Sequence, residues 1–211
     1  MKLYEIYTSI QGETQYAGRP CTLVRFAGCD LRCAYCDTEH AFFGGQEVGR
    51  EAIVADVVSR EVPLVLLTGG EPLLQPELPE LARDLVARGF EVMIETGGHR
   101  DTSVLPPEVV VILDVKTPGS GESHKNLWGN LLRLRRSDAV KFVVCSEDDY
   151  QWARRIVDEH RLVGRCELLL SPSFGQVEPK ALVAWMLRDK MPARLNLQIH
   201  KYVWSPSERG V

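Results

Sequence analysis

No apolar run in the sequence is long enough to cross a bilayer, and the start, Met-Lys-Leu-Tyr-Glu, has no apolar core of the kind a secretory signal carries. These two absences predict a cytoplasmic chain. Neither charge is in marked excess: 25 Lys and Arg stand against 29 Asp and Glu, for a formal net charge of −4. Such a balance argues for neither nucleic acid nor an anionic membrane as a partner. Repeats, low-complexity stretches and linker-like segments are also missing. The 211 residues are therefore read as one domain, 1–211, large enough for its own core. Cysteine is scarce, with six residues. At this length, and without a secretory signal, a disulfide framework is not expected.

Three of the six cysteines are crowded together. Ala27 to Thr38 reads Ala-Gly-Cys-Asp-Leu-Arg-Cys-Ala-Tyr-Cys-Asp-Thr and follows a strand-like run, Thr22–Ala27. Cys29, Cys33 and Cys36 thus share one loop at a Cys-x3-Cys-x2-Cys spacing, while Cys21, Cys145 and Cys166 are isolated. A structural zinc site takes four ligands, and an ordinary 4Fe–4S cluster takes four thiolates. Three thiolates without a fourth fit a cluster that leaves one iron open to another ligand. A partial zinc site, with a histidine such as His40 as fourth ligand, and three buried free thiols are the competing readings.

The rest of the chain alternates between two periodicities. Tyr4–Glu13 reads as an extended arm and Ala41–Arg50 as loop. Helical stripes fall at Glu51–Arg60 (Ile53, Val54, Val57, Val58), at Leu78–Val86, at Asp148–Arg161 and at Pro179–Arg188, with a short helix over Leu127–Arg136. Apolar strands fall at Leu64–Thr68, Glu91–Glu95, Val109–Leu113, Ala139–Val144, Glu167–Leu170 and Leu195–Ile199. Strands alternating with helices predict parallel pairing with right-handed crossovers. About seven strands, with some helices short or missing, predict an incomplete barrel rather than a full eight-unit one.

In such folds chemistry gathers at the C-terminal ends of the strands. Polar or glycine-rich residues stand at nearly every predicted end: the cysteine loop, Thr68-Gly-Gly-Glu-Pro72, Glu95-Thr-Gly-Gly98, Asp114-Val-Lys116, Ser171-Pro-Ser-Phe174 and Gln198-Ile-His200. Loops are polar in general, so the set carries more weight than any one member.

The cysteine spacing, with Tyr35 just before the third thiol, resembles the signature of the radical S-adenosylmethionine superfamily. Further segments resemble one branch, the 7-carboxy-7-deazaguanine synthases: Gln11-Gly-Glu13, Gly18-Arg-Pro20, Arg25-Phe-Ala-Gly-Cys29, Cys36-Asp-Thr38, Thr68-Gly-Gly-Glu-Pro-Leu73, Glu95-Thr-Gly97 and Gln198-x-His-Lys-Tyr202. The resemblance spans nearly the whole chain. It implies a partial TIM-like barrel, an α/β fold of the radical S-adenosylmethionine type. It also implies a lyase that turns 6-carboxy-5,6,7,8-tetrahydropterin into 7-carboxy-7-deazaguanine with loss of ammonia, for queuosine and other 7-deazapurines.

By the same resemblance Cys29, Cys33 and Cys36 hold a 4Fe–4S cluster whose open iron takes S-adenosylmethionine, and Thr38 binds Mg2+. Tyr35, Asp37, Gly70, Glu71, Glu95, Asp114, Val115, Lys116 and Ser171, Pro172, Ser173, Phe174 frame the S-adenosylmethionine. Ile10, Gln11, Gly12, Glu13, Arg25, Thr68 and His200 meet the pterin, and Val211 brings the terminal carboxylate. A homodimer and an electron donor such as flavodoxin are implied partners. The chain departs from the pattern in three places. It lacks the longer insertion that some members have between the first two cysteines, it has Gly97 where Asn often stands, and it has a longer tail after Tyr202. Two other functions fit parts of the pattern: a radical activase acting on a partner protein, and a zinc-binding module without catalysis.

Overall fold

The structure is a computed structural model that describes residues 1–206 and 208–211. One nine-stranded sheet organises it, in the order β3-β1-β2-β4-β5-β6-β7-β8-β9. The strands are β1 Lys2–Ile10, β2 Pro20–Phe26, β3 Gln46–Glu47, β4 Leu64–Gly69, β5 Glu91–Thr96, β6 Val110–Asp114, β7 Ala139–Val144, β8 Glu167–Pro172 and β9 Arg194–Leu195. β2 and β4 to β9 are parallel neighbours in sequence order. β1 pairs antiparallel with β2, and β3 with β1. The sheet curls without closing, which makes the expected incomplete barrel.

Three expectations are corrected. The supposed arm, Tyr4–Glu13, is a full strand as far as Ile10, paired antiparallel with β2 and only partly covered by β3 on its outer side. Its alternation is weak because most of its residues are only half-buried. The loop 41–50 contains the two-residue strand β3 and the first residue of α1. The last strand stops at Leu195, because Asn196 turns the chain: its Oδ1 accepts from Thr14 N at 2.6 Å and its Nδ2 donates to Ser171 Oγ at 2.8 Å. His200 therefore starts a short helix, α5 His200–Val203, instead of ending a strand.

Helices cover the convex face. They are α1 Arg50–Ser59, α2 Leu78–Ala87, α3 Glu147–Glu159 and α4 Pro179–Arg188. Each inserts a stripe at helical spacing, such as Leu78, Leu81, Ala82 and Leu85 of α2. α3 starts at Ser146, whose hydroxyl accepts from Asp149 N at 3.2 Å, with three acids in the first turn. The expected helix near Leu127 is a 3-10 helix, Trp128–Arg133.

The period of two along each strand divides the core into layers. Val24, Phe26, Val65, Leu67, Val92, Ile94, Val111, Leu113, Val140 and Phe142 face the helices. The alternate positions point into the barrel. Near the strand starts these are apolar, with Cys21, Leu64, Leu66, Met93, Val110, Ile112, Ala139 and Leu169 forming a dry plug. Two residues further along β4 to β8 they become Thr68, Glu95, Asp114, Lys141 and Ser171, and on β2 Arg25 follows two residues after Leu23, which packs against the plug. A plug floors the barrel, and a polar layer lies on top of it.

Gly69 and Gly70 fix where the cysteine loop begins. Gly70 N donates to Phe26 O at 3.0 Å and Glu71 N to Gly28 O at 2.8 Å. A Cβ on Gly70 would overlap Gly28 O and press on Cys29 Cβ. Replacement Gly70→Ala is expected to push the loop away from β4 and lower stability by about 1–3 kcal/mol, as overpacking does. Urea denaturation of the purified variant, with far-ultraviolet circular dichroism as the fold control, checks this.

Candidate active site

One cavity of about 660 Å³ opens at the C-terminal ends of the parallel strands. It brings together residues that are far apart in the chain: Gln11 to Glu13, Arg25, the three loop cysteines, Thr68 to Glu71, Glu95, Asp114, Lys116, Ser171 to Phe174 and His200. Ile10, Tyr35, Asp37, Thr38 and Val211 also line it. Val115 does not. Its side chain is buried in the outer core against the helices.

The cysteine loop is tied down behind the thiols. Glu122 Oε1 accepts from Arg32 N at 2.7 Å, and Ser120 O accepts from Ala34 N at 3.0 Å. Asp30 pairs with His99 Nε2 at 2.6 Å and with Arg100. These bonds hang the loop from the segments after β5 and β6. All six cysteines are free. Burial raises the thiol pKa of Cys29, Cys33 and Cys36, that of Cys33 to about 11. Among the described residues, no three Cys, His, Asp or Glu side chains close round a single ion. A zinc ion would need its ligands gathered at one point, whereas each thiolate of a cluster binds its own iron. Three free thiols on one loop facing a cavity therefore fit a cluster better than zinc. Cys21 lies in the plug and Cys166 in the outer core. Cys145 follows β7 directly and is not on the loop that carries the other three thiols; burial raises its pKa to about 11.

The polar layer is an ionic lattice. Lys141 Nζ contacts Glu13 Oε2 at 3.1 Å, Glu95 Oε1, and Asp114 Oδ2 at 3.6 Å. Lys116 Nζ meets Asp114 Oδ2 at 3.0 Å and lies 5.7 Å from the Tyr35 ring centre. Three carboxylates thus share two ammonium groups. Burial alone would lower both lysine pKa values, but the carboxylates override it and raise them. Burial raises the Glu95 pKa, and Lys141 offsets only part of that. Burial would likewise raise that of Asp114, yet Lys116 and Lys141 hold it below the ordinary value. Asp114 Oδ1 and the Tyr35 hydroxyl are buried with no hydrogen-bond partner among the described residues, so both are available to a ligand.

Other predicted residues are already engaged. Glu71 is fully buried and accepts from Thr96 Oγ1 at 2.8 Å, Gly97 N at 2.9 Å and Leu73 N at 3.0 Å. Its carboxylate stitches the ends of β4 and β5 and has little left for a ligand. Arg25 Nε donates to Glu5 Oε1 at 2.8 Å and its Nη2 to Tyr7 at 3.2 Å. The half-buried arginine therefore has an internal anion, and it is Glu5 rather than Glu13 or Glu95. Asp37 accepts from Lys201 Nζ at 2.8 Å, Gln198 Nε2 at 2.9 Å and Thr38 Oγ1 at 2.9 Å. Gly12 lets His200 approach, since a Cβ there would collide with the imidazole.

Sequence reasoning missed Lys141, Glu5 and Tyr7. Lys141 carried a usable signal, as the one charge inside the apolar run Ala139–Val144. Its central place yields a prediction. Lys141→Met leaves Glu13, Glu95 and Asp114 with Lys116 alone and should reduce stability at pH 7 by about 3–5 kcal/mol. The orphaned carboxylates then have raised pKa values in the folded chain. Groups of that kind favour folding below their unfolded pKa and oppose it as pH rises, so the deficit should narrow toward pH ~4. Denaturation curves across pH for both proteins measure it.

Residues 23–114 match the model of the Radical SAM superfamily. The chain is 42% identical over 214 residues to the 7-carboxy-7-deazaguanine synthase of Chlorobaculum tepidum, covering 100% of this chain and 97% of that protein. To the 7-carboxy-7-deazaguanine synthase of Koribacter versatilis it is 41% identical over 227 residues, covering 100% of both. Among solved structures, QueE from Escherichia coli superposes with a TM-score of 0.76 at 20% identity, covering 93% of this chain and 92% of that one, which supports the partial-barrel fold. Full-length identity at this level, over a barrel whose cysteine loop opens on the strand-end cavity, places the chain in the 7-carboxy-7-deazaguanine synthase family of the radical S-adenosylmethionine superfamily.

Proposed function

We propose that this chain, as one domain over 1–211, converts 6-carboxy-5,6,7,8-tetrahydropterin to 7-carboxy-7-deazaguanine with loss of ammonia. The observation that carries the reading is the shared cavity: three free thiols, an ionic lattice and the Gln11-Gly-Glu13 segment face one space. An activase needs an open track for a protein chain, and a zinc module needs a closed ligand set. Neither matches this arrangement.

When loaded, the cluster and S-adenosylmethionine supply the one-electron chemistry that takes a hydrogen from the substrate. The chain's own residues bind and orient. Cys29, Cys33 and Cys36 hold the cluster, and the Gly69-Gly70 backbone brings the β4 end against them. Asp114, through its unpartnered Oδ1, and the Tyr35 hydroxyl receive polar groups of S-adenosylmethionine, beside Lys116 and Ser171 to Phe174. Glu13 and Gln11 offer acceptors to the amino and ring N–H groups of the pterin, with Ile10, Gly12, Thr68 and His200 around it. Arg25 turns toward the substrate carboxylate; among the described residues its Nη1 forms no hydrogen bond. Thr38 donates its hydroxyl hydrogen to Asp37, which leaves its oxygen lone pairs for Mg2+, a cation that prefers hard oxygen ligands. We assign the chain to the cytoplasm, as a homodimer reduced by a flavodoxin-like donor. No helix among the described residues is long and apolar enough to cross a membrane.

Two outcomes are expected. Anaerobically reconstituted enzyme given the carboxypterin, S-adenosylmethionine and a reductant should yield a product with the mass of 7-carboxy-7-deazaguanine. Cys33→Ala should lose both the cluster's iron and the product, while Cys166→Ala keeps both; a product of another mass rejects the reading. In a separate titration, Thr38→Ala should keep its iron but need much more Mg2+ for half-maximal turnover. An unchanged Mg2+ response removes Thr38 from the site.

A further inference from the structure

The tail after α5 returns over the cavity. Pro206, Glu208, Arg209, Gly210 and Val211 all line it. Arg209 is exposed at the mouth, so its guanidinium is available to a ligand that enters. Arg25 lines the same cavity. His40 also lines the cavity. Both arginines therefore reach the space that the ligand would enter.

They differ in their balance. Glu5 neutralises Arg25 at 2.8 Å. A ligand carboxylate brought to Arg25 alone would meet a pair with no net charge, and would face Glu5 as well. Among the described residues Arg209 forms no ion pair. Unlike Arg25, it has no described carboxylate within ion-pair distance. Glu208 and the Val211 carboxylate line the same mouth. In their company a diffuse positive field would not hold an anion, whereas a guanidinium fork bonding both oxygens would.

We propose that Arg209 is the outer half of a two-arginine clamp for the substrate carboxylate, with Arg25 as the inner half. This rests on the reaction proposed above. A bound pterin would exclude water from the Arg209 pair and so strengthen it. The clamp makes the tail a determinant of specificity: it selects pterins that carry a carboxylate from those that do not.

The test uses cluster-reconstituted enzyme with S-adenosylmethionine bound. Affinity is measured for 6-carboxy-tetrahydropterin and for the same tetrahydropterin without its carboxylate. Arg209→Gln should weaken binding of the carboxylated ligand by about 10- to 100-fold and leave the other ligand's affinity unchanged, so that discrimination collapses. Arg209→Lys should recover part of it, because it restores the charge without the fork. The melting temperature without ligand should match the wild type. Equal affinity of wild type and Arg209→Gln for the carboxylated ligand overturns the clamp, as does an equal loss for both ligands; in either case product mass from the wild type still tests the reaction separately. A wild-type enzyme that binds neither pterin overturns the reaction and the clamp together.

Discussion

The Lys141 ammonium holds the site together. It lies among carboxylates from three places in the chain: Glu13 after β1, Glu95 at the end of β5 and Asp114 at the end of β6. Buried carboxylates without a cation would repel one another and draw in water or protons. With Lys141 and Lys116 among them they form a lattice that can lie directly on an apolar plug. The lattice leaves one negative charge in excess. A ligand that brings cationic character, or many N–H donors, is therefore welcome on its upper side, and S-adenosylmethionine and an aminopterin both answer that description.

Glycine and charge divide the remaining work. Gly70 and Gly12 are places where a side chain would displace a functional group, Cys29 in one case and His200 in the other. Glu71 and Asp30 are the reverse: their carboxylates are spent inside the chain to fix loop ends. A polar residue at a strand end can thus serve a ligand or serve the loop that meets the ligand. The hydrogen-bond inventory separates the two. Glu71 is fully engaged, whereas Asp114 keeps one buried oxygen without a hydrogen-bond partner among the described residues.

Much of this was legible in the sequence because period-2 and helical patterns are local. The parallel strands, the four main helices and the cysteine loop appear where apolar spacing puts them. The errors fall where a non-local bond decides. β1 looked like an arm because its partner, β2, covers it from outside its own segment. The strand after Arg194 ended early because Asn196 reaches Thr14, 182 residues away. Arg25 and Lys141 show the same limit for the site. Each is a lone charge in an apolar strand, so a counter-charge was predictable. Its identity was not, since Glu5 meets Arg25 only through the antiparallel register of β1 on β2.

That register carries a consequence for binding. Glu5 and Arg25 are paired positions on neighbouring strands, and such cross-strand pairs are among the stabilising units of a sheet. Arg25 is thus pre-oriented by Glu5 and Tyr7 before any ligand arrives, at the expense of its net charge. Orientation and charge are separate requirements for holding a carboxylate. A rigid strand arginine meets the first, and the proposed tail arginine, which has no ion pair among the described residues, would meet the second. A site divided in this way can keep its inner wall stable without substrate and still bind an anion over a lattice that is itself negative.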